Sequence, residues 1–139
     1  MENRNTLKKE ERISAQKEID LLFEKGASFV SFPLRVVYLR EKPLSGAPSA
    51  ILVSVPKKKF KRAVKRNRLK RLVKEAYRRN KHPLVNHLLE NKSGLLLAFL
   101  FVGNTLCDYK EIESAVVRIL IALKAKSISE HQHISTLSH

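Results

Sequence analysis

Apolar and polar positions alternate with different periods along the chain, and the changes of period divide it into elements. Ile19, Leu22 and Phe23 recur at helical spacing behind Ser14, which predicts a helix of about three turns with Ser14 as its N-cap and Gly26 at the C′ position. After Phe32-Pro33 the segment Leu34–Arg40, with Val36, Val37 and Tyr38, reads as a strand. A short strand between Gly26 and Phe32 could pair with either neighbour. The Pro- and Gly-containing stretch from Lys42 to Pro48 is a loop, and Ser49–Val55 is the next strand, stopped by Pro56. Gly94 and Gly103 bracket an unbroken apolar run, Leu95–Val102, whose length favours a central strand covered on both faces. Asp108 and Glu111 make a capping arrangement before a helical seam of Ile112, Ala115, Val116, Ile119 and Leu123.

The segment between these strands reads as a helix from about Val64 to Asn80. At about 100° per residue, Leu69, Leu72, Val73 and Ala76 share one narrow face. Asn67, Arg71, Lys74 and Arg78 share the opposite face, with Arg66, Lys70 and Lys81 widening it. Beyond Pro83, residues 82–93 are ambiguous, although Leu84, Val85, Leu88 and Leu89 could form a second short helix. Residues 1–13 read as a flexible, charged lead-in, residues 14–125 as one domain, and residues 126–139 as a disordered tail. The expected class is α+β, with helices packed on one sheet.

Charge decides the partner. The chain of 139 residues has 28 Lys and Arg against 13 Asp and Glu, a formal charge of +15. Fourteen of those 28 cations lie between Lys57 and Lys81 beside one acid, Glu75, so the rest of the chain is almost neutral. Like charges at helical spacing destabilise an isolated helix. A docked apolar seam on one side and a polyanion on the other would offset that, which points to RNA or DNA.

Other classes fall away. The one cysteine, Cys107, builds neither a disulfide framework nor a Cys-rich zinc site, and a lone thiol suits a reducing cytoplasm. The longest apolar run is far shorter than a membrane helix requires, and the N-terminus lacks the apolar stretch of a signal peptide. Asp108, Glu111 and Glu113 are the densest acidic cluster, and helix capping accounts for them. His131, His133 and His139 have no partner ligands nearby in the sequence, His82 and His87 are isolated, and no phosphate-binding glycine loop is present. The expectation is a nucleic-acid-binding domain without catalytic or metal-binding residues of its own.

One stretch goes further than charge. Arg66-Asn67-Arg68-Leu69-Lys70-Arg71-Leu72-Val73-Lys74-Glu75 resembles the signature of the bacterial ribonuclease P protein component, Arg-Asn-Arg-x-x-Arg/Lys-Arg-x-x-Arg/Lys-Glu. The segment from Ile19 to Gly26 resembles that family's first helix, and Pro33–Tyr38 its next strand, so the likeness runs from about Ser14 to Lys124. It implies a two-layer α-β sandwich of order αβββαβα with a left-handed βαβ crossover. It also implies binding to a large catalytic RNA that removes 5′ leaders from precursor tRNA, with magnesium held on the RNA. Carried over, the catalytic-RNA contacts are Arg66, Asn67, Arg68, Lys70, Arg71, Lys74 and Arg78. The leader contacts are Phe23 and Tyr38, with Lys57 and Lys58 at the edge of the cleft, unless the two aromatics belong to the core instead. Ile19 stands where many members carry an aromatic, and Pro56 replaces the usual Ser in a loop that lacks the family's glycine. A ribosomal protein and a DNA-binding regulator are the competing readings; no membrane and no obligate protein partner is implied.

Overall fold

The computed structural model describes residues 11–13, 16–41 and 48–137, with residues 127–137 as backbone. Its elements are α1 (Gln16–Lys25), β1 (Ala27–Ser31), β2 (Leu34–Glu41), β3 (Ser49–Ser54), α2 (Ala63–Asn80), α3 (His82–Glu90), β4 (Gly94–Phe101) and α4 (Tyr109–Leu137). One sheet runs in the order β1-β2-β4-β3. β1–β2 and β2–β4 are antiparallel, while β3 and β4 are parallel neighbours joined through α2 and α3. A parallel pair needs such a long crossover, so the basic helix is itself the connection that closes the sheet.

Strand alternation splits the core in two. Leu95, Leu97, Phe99 and Phe101 of β4 face α2, α3 and α4 together with Leu34, Val36, Ile51 and Val53. Leu96 and Ala98 face the other way, with Val37, Ala50, Ile13 and Leu22 of α1. β4 is thus covered on both faces, which is why its sequence shows no polar alternation. The main sandwich is the sheet against α2–α4, and α1 crosses part of the opposite face. Gly26 ends α1 by close approach: its N–H meets the Leu22 carbonyl at 2.8 Å. A Cβ there would stand 2.9 Å from the Tyr38 carbonyl and from Val37 Cγ1. Ser14, the expected N-cap, lies outside the described residues.

The helices refine the sequence expectations. α2 buries Leu69, Val73, Ala76 and Tyr77, whereas Leu72 is only partly buried at the margin of the core. The predicted seam is therefore rotated slightly toward Tyr77, whose ring packs on Phe99 at 5.9 Å. The ambiguous 82–93 region opens as α3, with Leu84 and Leu88 inward and Leu89 exposed, adding one helix to the expected order. At α4 the Glu111 N–H donates to Asp108 Oδ1 at 2.9 Å and the Asp108 N–H points back at Glu111 Oε1, the reciprocal capping box read from the sequence. The backbone of α4 continues to Leu137 instead of ending near Lys126. No Gly or Pro interrupts residues 124–137, so a helix already docked through Leu123 has no local signal to stop.

The end of the lead-in is anchored, contrary to the flexible segment expected through residue 13. Ile13 donates its N–H to the Ile51 carbonyl at 2.9 Å, and Arg12 bridges to Ile51 in parallel. Glu11 and Lys81, both buried, meet at 2.5 Å. Beside them Ser49 and Tyr77 share a short hydroxyl contact, and burial pushes the Tyr77 phenol well above its ordinary pKa. The N-terminal segment is thereby tied to the C-terminal end of α2.

Two stability measurements check this packing. Leu69→Ala should lower unfolding free energy by about 2–5 kcal/mol in urea titrations, and Leu72→Ala by less than half as much, because only Leu69 leaves an enclosed cavity. Lys81→Met should cost roughly 3–5 kcal/mol by stranding a buried carboxylate, and Glu11→Leu with Lys81→Met should recover much of that loss. Equal losses in the first pair, or no recovery in the second, would contradict the assigned burial.

Candidate nucleic-acid interface

The outward face of α2 is built by the same periodicity that buries its seam. Asn67, Arg71 and Lys74 are exposed, and Arg78 is half-buried. Among the described residues no carboxylate pairs with Arg71 or Lys74. Arg78 differs: its guanidinium makes a two-pronged contact with Glu75 one turn back. Lys70 lies on the flank toward β3, where it lines a groove with Lys74. Arg68 falls on the other flank, about 160° from Lys70 on the helical wheel, so six of the seven predicted residues, all but Arg66, form a central stripe with two shoulders.

Arg66 takes a different position from its sequence neighbours. Its Nη1 donates to the carbonyls of Phe60 and Lys61, each at 2.8 Å, and so holds the loop before α2. Phe60 is buried edge-on against Phe101, with ring centroids 5.6 Å apart. Lys57 and Lys58 are exposed in the turn that precedes it, and Lys59 is pinned to the Val102 carbonyl at 2.8 Å. The first turn of α2 contains no acid, and its cap residue, Arg62, makes no side-chain cap. The helix thus presents an uncompensated positive end beside a cationic loop, a setting that attracts phosphate.

α2 is held against α4 by polar contacts at its far end. Asn80 Nδ2 donates to Glu113 Oε2 at 3.0 Å, and the Tyr109 hydroxyl donates to the same oxygen at 3.0 Å. These two hydrogen bonds lower the Glu113 pKa, with the Arg79 charge adding to them. Arg79 itself lies over the Tyr109 ring, 5.7 Å from the centroid. Its cationic head is thereby drawn toward α4 and away from the stripe.

The structure does not bring Phe23 and Tyr38 together. Phe23 is exposed on α1, 45 % of its surface open to solvent. Tyr38 shares its strand face with Leu34 and Val36, beneath α4, and stacks edge-on against Phe29 at 5.9 Å. Period two puts Val37 and Leu39, not Tyr38, on the α1 side of β2. The α1 side of β2 and β4 is therefore aliphatic, with Val37, Leu39 and Leu100, and exposed Arg35 lies on the same face of β2. Sequence reasoning missed Val37 because it took the nearest aromatic; counting strand parity from the buried Leu34 and Val36 identifies it.

Comparisons with known proteins place the chain in a family and match its fold. The family model described as Ribonuclease P matches residues 7–124. Over 117 residues the chain is 47 % identical to the ribonuclease P protein component of Porphyromonas gingivalis, covering 84 % of this chain and 85 % of that protein. It is 37 % identical over 114 residues to the same component from Clostridium botulinum, covering 81 % and 93 %. In fold it is similar to the solved RNase P protein from Thermotoga maritima (TM-score 0.62, 22 % identity, 79 % of this chain and 94 % of that one). The Staphylococcus aureus RNase P protein is equally close in fold (TM-score 0.62, 18 % identity, 82 % and 95 %). With the matched region spanning α1 to α4 and containing the whole basic crossover helix, the chain belongs to the family of ribonuclease P protein components, subunits of an RNA-based endoribonuclease.

Proposed function

We propose that the α2 stripe seats on the phosphate backbone of the catalytic RNA and that the α1 side of the sheet holds the single-stranded 5′ leader of precursor tRNA. The observation that carries the first half is the pair of cations, Arg71 and Lys74, that meet no carboxylate among the described residues, on a helix whose opposite face is locked into the core. Arg forks and Lys heads match phosphate without reading sequence, as a structured RNA partner requires. Lys57 and Lys58 extend the positive surface past the uncapped start of α2. Magnesium held on the RNA would supply the chemistry of hydrolysis, and this chain supplies screening and position. An RNA partner of this kind sets the site of action in the cytoplasm.

The second half rests on Phe23. An exposed aromatic beside an aliphatic strand face with Arg35 offers one stacking platform next to positive charge, the combination that grips unpaired RNA. Tyr38 has no part in it.

Two measurements test these halves separately. Arg71→Ala should weaken binding to the catalytic RNA and make the slope of log affinity against log salt shallower by roughly 0.7–0.9. Arg78→Ala should do so less, because Glu75 already engages Arg78. Equal, negligible effects would place the RNA elsewhere. For the leader, Phe23→Ala should reduce the holoenzyme's preference for leader-bearing over mature tRNA by up to about tenfold, the loss of one stacked base. Tyr38→Ala should lower stability and leave that preference unchanged. A preference that depends on Tyr38 and not on Phe23 would overturn the assignment.

A further inference from the structure

A groove of about 450 Å³ opens along the outer edge of β3, between the Glu11–Ile13 segment and the flank of α2. Its rim is cationic: Arg12 comes from the N-terminal segment, and Lys70 and Lys74 from successive turns of α2. Among the described residues no carboxylate pairs with any of the three: Glu11, next to Arg12 in sequence, meets Lys81, and Glu75, next to Lys74, meets Arg78. The wall is aliphatic, formed by Ile13, Leu52 and Val53.

The strand edge adds hydrogen-bonding groups. The Pro48 carbonyl accepts from Leu95 on the β4 side, whereas the Ile51 carbonyl accepts from Ile13 on the outer side. Odd-numbered residues of β3 therefore aim their peptide groups outward, and Val53 carries that orientation along the groove, one period beyond Ile51. Charge for a phosphate, apolar surface for the face of a base, and peptide groups for a base edge or ribose hydroxyl thus converge in one place. The volume falls within the roughly 300–1,000 Å³ of small-ligand pockets, so it suits one nucleotide and excludes a duplex.

We propose that this groove takes a single unstacked nucleotide of the RNA seated on α2, its phosphate on Arg12, Lys70 and Lys74 and its base against Leu52 and Ile13. The proposal rests on the reading that α2 faces the catalytic RNA. It adds a recognition of local RNA shape, since only a strand that can splay out a base adjacent to the stripe would fill both surfaces.

The test uses the full chain with labelled Ile and Leu methyl groups, titrated with adenosine 5′-monophosphate, adenosine and inorganic phosphate. The monophosphate should saturably shift the Ile13 and Leu52 resonances and bind at least about five-fold more tightly than either fragment. Lys70→Ala with Lys74→Ala should weaken it by a similar factor, with the undisturbed core spectrum reporting that the variant is folded. Lys110→Ala with Lys126→Ala, an equal change of charge at exposed positions of α4, should leave it unchanged. Phosphate binding as well as the nucleotide, or shifts confined to other surfaces, would overturn the proposal and leave only counterion attraction. Failure here with a weakened Arg71→Ala complex refutes the groove alone. An RNA affinity untouched by Arg71→Ala refutes the underlying reading instead.

Discussion

Repulsion along α2 is the constraint around which the remaining packing is arranged. Asn67, Arg71, Lys74 and Arg78 follow one another at helical spacing, and the first turn offers no acid to soften the dipole. Each like-charge pair costs a few tenths of a kcal/mol. Against this, Leu69, Val73, Ala76 and Tyr77 are wholly buried. Full burial of one large apolar side chain contributes about 1.5–3 kcal/mol, so the seam outweighs the stripe by a wide margin. The helix forms because it is docked, and its charge remains available because docking uses only one face.

The other elements serve that docking. β4 is apolar on both sides because α2, α3 and α4 cover one face and α1 part of the other. Asn80, Tyr109 and Glu113 fasten the end of α2 to α4, and Arg66 fastens its beginning to the Phe60–Lys61 peptide groups. Both ends of the charged face are therefore fixed by side chains that point away from it. Arg66 and Arg79 show that a basic residue within a basic motif can have an architectural task.

Much of this was legible in the sequence where one pattern had one physical meaning. The length and glycine brackets of the run before Gly103 favour a doubly covered strand, which β4 is, and the Asp108–Glu111 spacing is a capping box in the structure too. The basic helix begins within a residue of its expected start. Legibility failed where neighbours compete for one role. Val37 and Tyr38 are both plausible strand residues, and only parity against buried partners separates the two faces of the sheet. Tyr77 carries a hydroxyl that argues against burial until Ser49, distant in sequence, supplies its partner. The Glu11–Lys81 pair joins charges 70 residues apart, and no local pattern announces it.

The strand order has a consequence for how the molecule is made. β4 lies between β2 and β3, yet it is the last strand in the chain. As the chain emerges from the ribosome, the β1–β2 hairpin can close at once, but β2 and β3 each present an open inner edge until Gly94–Phe101 arrives. Ile13 likewise waits for Ile51, and Glu11 for Lys81. Such distant pairings make folding slow relative to helix formation and leave unpaired strands exposed to other chains meanwhile. The highly charged segment is synthesised during this interval, between β3 and β4, and its repulsion would discourage two nascent chains from meeting through those edges. The charge that suits the finished protein to RNA also protects the unfinished one from its own copies.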